Sequence, residues 1–268
     1  MAELKLEMSG AKLELNGSEE LIKNESTRFY YALGVTDELP ETTIHAADIS
    51  RGSIIAPATQ ARSTDGECVL SYRLTEAPMS WEEIIEWIKD GSLRLNVSDT
   101  ISCKLKDERE VDFIVTDITE DAIRFESRDC LGEKVKHTGL DKYCEKIFNL
   151  LPDALQAAIM PTERKWRDKD GNLKTGTYKL FVPSCAEIAP EDECIGDKGV
   201  YKQLDWYKDR RHRIRCDEKG GDTCWYWTLS SASGYSTRFV FVSSHGYVND
   251  HSASLATGAP VCFQIPKS

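Results

Sequence analysis

Hydrophobic and polar positions sort the chain into two kinds of segment. In "SWEEIIEWIKDG", Trp81, Ile84, Ile85 and Ile88 recur at helical spacing, with Ser80 and Glu83 placed as the two halves of a capping box and Gly91 as a left-handed stop. A short amphipathic helix is predicted there. "ISCKL", "VDFIVTDI" and "AIRFES" then follow as strand-like runs split by charged turns, which predicts a meander. Helical periodicity returns from Asp141 to Met160 and breaks at Pro152, giving two linked helices, the second with Asp153 near its start. "RDKDGNLKTGTYKLFVPS" reads as a hairpin turning at Asp170-Gly171, with a strand from Thr177 to Val182. Helix, strands, helices and strands in that order define an α+β chain without repeats.

The first 78 residues carry less pattern. "LKLEMSGAKLELNG" alternates around Ser9-Gly10 and predicts a small hairpin, while Thr36 to Gly66 has few large apolar residues and reads as loop or linker. The expected organisation is an N-terminal element over 1–78 and a main domain over 79–268. The role of the first is not legible.

Charge narrows the partners. A net charge of -11 over 268 residues argues against nucleic acid and anionic membrane, which need concentrated Lys and Arg. The exception is "KDRRHRIR", Lys208 to Arg215, which reads as a solvated loop with the option of holding an anion. No run reaches the roughly 18 apolar residues of a membrane span, and no signal peptide is evident at Met1. The nine cysteines form no C-x-x-C pair and read as reduced thiols, so the protein is expected to be cytoplasmic when made.

Catalytic chemistry is not visible in these residue types. "DKDGN" (Asp168 to Asn172) lacks the ligand spacing and closing Glu of a calcium loop, and the five histidines form no zinc pattern. No metal or cofactor is expected. Ser230, His245 and Asp250 can be written as a triad, but no G-x-S-x-G elbow supports it. Trp206, Tyr207, Trp225, Tyr226 and Trp227 cluster late in the chain and read as core, with Trp225 and Trp227 on one face of a strand and Tyr226 on the other.

Four segments in order carry a resemblance: "MSWEEIIEWIKDGS", "IFNLLPDALQAAIMP", "YKLFVPSCAEI" and the ending "WYWTLSSASGYSTRFVFVSSHGYVNDHSASLATGAPVCFQI". Over about 190 residues the chain resembles variable proteins of diversity-generating retroelements in phages and bacteria. The resemblance implies a C-type lectin-like fold, in the variant shared with formylglycine-generating enzymes. Ser230 and Ala232 depart from the family's usual Arg and Pro, and the motif before Cys262 is shortened. In such systems adenines of a template are mutated as it is copied back into the gene. An AAC codon altered at its adenines cannot yield Lys, Glu, Gln, Met or Trp, and all five are absent from Thr228 to Thr257.

The implied function is ligand binding without catalysis, through a variable region of about 226–257. Val240, Val242, Val248, Ala253 and Ala256 are assigned to scaffold. The display surface is assigned to Tyr235, Arg238, Phe241, Ser243, His245, Tyr247, Asn249, Asp250, His251 and Leu255, a set with the rigid aromatics and small polar groups of a paratope. The expected partner is a protein or glycan on a cell surface, with virion association and other virion proteins as further partners. One conflict is built in: strand alternation puts Phe239 and Phe241 on one face, whereas the resemblance separates them and demands a bulge. Two other readings stand beside this one: a structural virion component, and an enzyme of the formylglycine-generating kind using Cys224 and Cys262.

Overall fold

A computed structural model describes residues 2–8, 11–17, 59–60, 68–71, 80–93, 95–168 and 170–267. The chain divides into two compact units, Met1–Arg94 and Leu95–Ser268. The boundary expected near Pro78 lies outside the described residues.

In the first unit, β1 (Ala2–Met8) and β2 (Ala11–Gly17) form the antiparallel hairpin that alternation around Ser9-Gly10 predicts. β2 runs parallel to β4 (Cys68–Ser71), which also pairs with the two-residue β3 (Thr59–Gln60), giving the order β1-β2-β4-β3. The rest of the predicted Thr36–Gly66 linker lies outside the described residues. Helix α1 (Trp81–Lys89) has both halves of its capping box: Ser80 Oγ accepts from Glu83 N, and Glu83 Oε2 accepts from Ser80 N. It buries Trp81, Ile84, Ile85 and Ile88, and Gly91 takes the left-handed conformation at φ 75°.

The second unit is built on the predicted meander. β5 (Thr100–Lys104), β6 (Glu110–Ile118) and β7 (Ala122–Ser127) pair antiparallel, and β17 (Cys262–Pro266) joins β7 to complete the order β17-β7-β6-β5. Phe113, Phe125 and Phe263 meet at its centre, with Phe263 stacked on Phe125 at 5.3 Å and edge-on to Phe113 at 4.9 Å. After β8 (Val135–Lys136) come α2 (Leu140–Leu150) and α3 (Asp153–Ala158), separated at Pro152 as predicted. The hairpin β9 (Thr162–Arg167) and β10 (Leu173–Tyr178) turns where Asp168 Oδ1 accepts from Asp170 N and Asn172 N. The second strand ends at Tyr178 instead of Val182. Residues beyond it face the core individually, with Leu180, Phe181 and Val182 all buried.

The short helix α4 (Cys185–Ile188) follows, then two 3-10 turns (Asp205–Lys208 and Arg210–Arg213) and the ribbon β11 (Arg215–Cys216) with β12 (Thr223–Cys224). A second antiparallel sheet, β13 (Tyr226–Ser231), β14 (Arg238–Val242) and β15 (Val248–Ser252), is followed by β16 (Ala256–Thr257), which returns to β8. The unit is thus mixed helix and antiparallel sheet, an α+β architecture.

Its interior is unusually charged. Glu187 in α4 receives Arg124 Nη1 at 2.6 Å and Arg164 Nη2 at 2.6 Å, and all three side chains are buried. Burial alone raises the Glu187 carboxyl, but the two guanidiniums outweigh it and hold it well below the usual carboxylate range. The same carboxylate accepts from Ser184 N at 2.9 Å, closing a second capping box at the start of α4. A few residues along β7, Glu126 takes Arg215 and the Tyr207 hydroxyl, while Arg215 Nη1 donates to the carbonyls of Ser127 and Arg128. "KDRRHRIR" is therefore not wholly a solvated loop: Arg213 and Arg215 are buried, and the remaining cations stay near the surface.

Candidate functional site

The sheet β13-β14-β15 has one face turned into the core. Val240 packs with Cys185, Ile195 and Ala232, and Val242 packs with Ile188, Tyr207 and Tyr226; Val248 lies against both groups. These valines hold the scaffold as expected. Ala253 is half-buried, but Ala256 is exposed and carries no such role.

Alternation settles the conflict over the two phenylalanines. β14 runs in unbroken register with β15 from Arg238↔Ser252 to Val242↔Val248, and the irregularity lies on β13 between Trp227 and Ser231. Phe239 and Phe241 therefore share a face, and both are covered. Phe239 stacks on His137 at 3.6 Å, and Phe241 stacks on Trp225 at 4.8 Å with Trp227 edge-on at 6.2 Å. Phe241 is 3% exposed, so its assignment to the display surface is corrected: it is a core ring. Two tryptophans cover it, and no bulge turns it outward.

The other expected display residues divide by exposure. Tyr235, His245, Tyr247, Asn249 and His251 are exposed, whereas Arg238, Ser243, Asp250 and Leu255 are half-buried. Tyr235 and Tyr247, 58% and 57% exposed, stand on the turns at opposite ends of β14. Roughly 14 Å of strand separates those turns. Each ring carries an arginine: Arg238 lies 5.6 Å from the Tyr235 centroid and Arg210 lies 4.3 Å from that of Tyr247. Asn249 and His251 project between them, opposite Phe241 and Phe239 respectively.

The half-buried members do local structural work. Arg238 forms an ion pair with the Asp250 carboxylate and donates from Nη2 to its carbonyl at 2.8 Å. Ser243 Oγ accepts from Tyr247 N at 3.1 Å, and Ser243 N donates to Tyr247 O at 2.8 Å, which closes the turn. Gly246 in that turn has φ 77°, and a Cβ there would stand 2.8 Å from Arg210 O. Only glycine lets the turn lie against the basic segment.

Trp225 is the surface residue that sequence reasoning missed. The clustering of aromatics predicts a core ring, yet Trp225 is 44% exposed while Trp227 is fully buried. The two do share a face, since both rings touch Phe241, and Tyr226 points the other way to donate to Arg213 O at 2.9 Å. The signal was available in part: Trp225 precedes β13, where pairing with β14 has not begun.

The residues of the paper triad are not brought together. Ser230 Oγ donates to Asp197 Oδ2 at 2.9 Å and accepts from Cys185 N at 2.8 Å in the buried interior. His245 sits on the exposed turn beside Ser244, and Asp250 belongs to Arg238. Cys224 and Cys262 have separate partners as well: Arg124 Nη2 lies 3.6 Å from the buried Cys262 sulfur, and the Cys224 sulfur lies 3.6 Å from Cys130. Among the described residues, no group of three or more His, Cys, Asp or Glu is disposed to hold a metal ion, and no helix is long and apolar enough to cross a membrane.

The family model described as "Domain of unknown function (DUF6273)" matches residues 111–267, more than half of the chain, and the protein belongs to that family. The match starts in β6 and ends just after β17, so it takes in both the buried charge network and the sheet β13-β14-β15. No curated protein and no solved structure matches the chain.

Proposed function

We propose that the protein is a ligand-binding protein with a C-type lectin-like domain over 79–268. It presents Trp225, Tyr235, Tyr247, Asn249 and His251 to a protein or glycan on a cell surface. In this reading the region of about 226–257 is diversified by a retroelement, and the protein acts by recognition and not by catalysis. The observation that carries it is the division of β14 and β15 and their turns. Inward residues are buried against two core clusters, while exposed tyrosines stand at both ends with polar side chains between them. Substitution at such outward positions usually changes stability by no more than about 0.5 kcal/mol, so a surface of this kind can vary without loss of the fold. Exposed aromatics and arginines are also the side chains that carry most interface energy.

The test replaces Tyr235, Tyr247, Asn249 and His251 together by Ala and leaves the core residue Phe241 intact. Bacterial surface extracts and glycan arrays are screened with the parent to find a ligand, and the quadruple variant is then compared at equal folded concentration. Loss of binding with an unchanged melt is the expected result. Retained binding would overturn the surface assignment. Diversification is tested separately on the flanking DNA, where an imperfect repeat differing from the coding strand mainly at adenines is expected beside a reverse-transcriptase gene.

A further inference from the structure

Cys130 follows β7 and Cys224 ends β12, 94 residues later, yet their sulfurs are 3.6 Å apart. Two features show that this contact is built in. Cys130 N donates to Cys216 O at 2.9 Å, and Cys216 N to Asp129 Oδ1 at 2.9 Å, which ties the Cys130 loop to the ribbon that carries Cys224. Gly258 then lies against both thiols: a Cβ there would stand 2.5 Å from the Cys130 sulfur and 3.2 Å from that of Cys224. The space the pair occupies exists because position 258 has no side chain.

We infer that Cys130 and Cys224 form a reversible thiol–disulfide pair, closed by exchange with a small-molecule disulfide. The two thiols differ as attacking and resolving groups should. Cys224 is half-buried and Cys130 is buried. The hydrogen bond between the two sulfurs lowers the Cys224 thiol and raises that of Cys130; Arg215 favours both thiolates, while Asp129 opposes both and Asp217 opposes that of Cys224. Burial instead raises Cys216, and pushes Cys194 up to about 12. Cys224 thiolate displaces one thiolate from the external disulfide and forms a mixed disulfide. Cys130, losing its proton, attacks the Cys224 sulfur and expels the second small thiolate. Two protein thiols become one disulfide, one external disulfide becomes two thiols, and the two protons pass to those products. The sulfurs need only approach from contact to the bonded distance of about 2.05 Å.

The experiment equilibrates the native full chain with oxidised and reduced glutathione, quenches with an alkylating agent under denaturing conditions, and maps the peptides by mass spectrometry. A Cys130–Cys224 linked peptide is expected, with alkylation of both thiols falling by about tenfold or more and recovering in excess reduced glutathione. Cys130→Ser should leave a lasting glutathione adduct on Cys224, because the resolving thiol is gone. Cys224→Ser should leave Cys130 unmodified, and Cys216→Ser should still form the link. A Cys216–Cys224 link, a persistent adduct on Cys224 in the parent, or full alkylation of Cys130 and Cys224 after oxidation would each overturn the inference.

Discussion

All six side chains of β7 are buried, whereas β15 alternates half-buried and exposed positions along its whole length. The two strands belong to sheets of one unit, yet they place polar groups by opposite rules. β7 is covered on both faces, so Arg124 and Glu126 are held only because Glu187, Arg215 and Tyr207 answer them at hydrogen-bond distance. β15 has one covered face, and its polar residues on the other require no partner. A change in the first region leaves an unanswered charge in a low-dielectric interior; a change in the second exchanges one solvated group for another.

The sharpest way to break this comparison is Glu187→Ala. It strands two buried guanidiniums and removes the glutamate half of the α4 capping box, so a loss of about 4 to 5 kcal/mol is expected in denaturant melts. A loss below about 1 kcal/mol would show that water enters the network. Next come the rings grouped around Phe241. Trp227→Ala and Phe241→Ala should each cost roughly 3 to 4 kcal/mol, since both are enclosed aromatics. A neutral Phe241→Ala would return that residue to the surface set.

A smaller effect follows from pH. Burial, outweighing the hydrogen bond from Nε2 to Thr228 O, pushes His137 from an ordinary 6.5 down to about 4. Between those values the unfolded chain binds a proton that the folded chain does not, so stability is complete above pH 6.5 and is lost as pH falls toward 4. About 3 kcal/mol should disappear over that window, and His137→Phe should flatten the profile there. Smallest of all, Tyr247→Ala should change stability by no more than about 0.5 kcal/mol. Equal losses for Tyr247→Ala and Trp227→Ala would erase the distinction between the faces.

Legibility in the sequence followed the range of the interactions. Local rules reached α1 with its capping box, the meander, the break at Pro152 and the buried Trp227. They also contained the right answer for Phe241, because period-two alternation placed it beside Phe239, and the resemblance pulled it out. The charge network was hidden for a different reason. Arg124 and Glu187 are separated by 63 residues, and Glu126 and Arg215 by 89, so no spacing rule links them. The capping box Ser184–Glu187 was readable as S-x-x-E, but nothing local reveals that its glutamate also serves two arginines. Likewise Arg213 and Arg215 look like their neighbours in "KDRRHRIR", and only the long-range pairing separates buried from solvated.

The pairing of β17 with β7 separates two kinds of change in the preceding strands. The strand lies downstream of residues 226–257 in the chain, yet it supplies Phe263 to the ring cluster with Phe113 and Phe125. A stop codon or frame change anywhere in that region removes β17, leaves the β7 ladder groups that face it without their partners, and opens a hole where Phe263 stood. Missense changes at the outward positions spare all of this. An outward substitution therefore leaves this sheet whole, whereas an interrupted message gives a chain that cannot complete it.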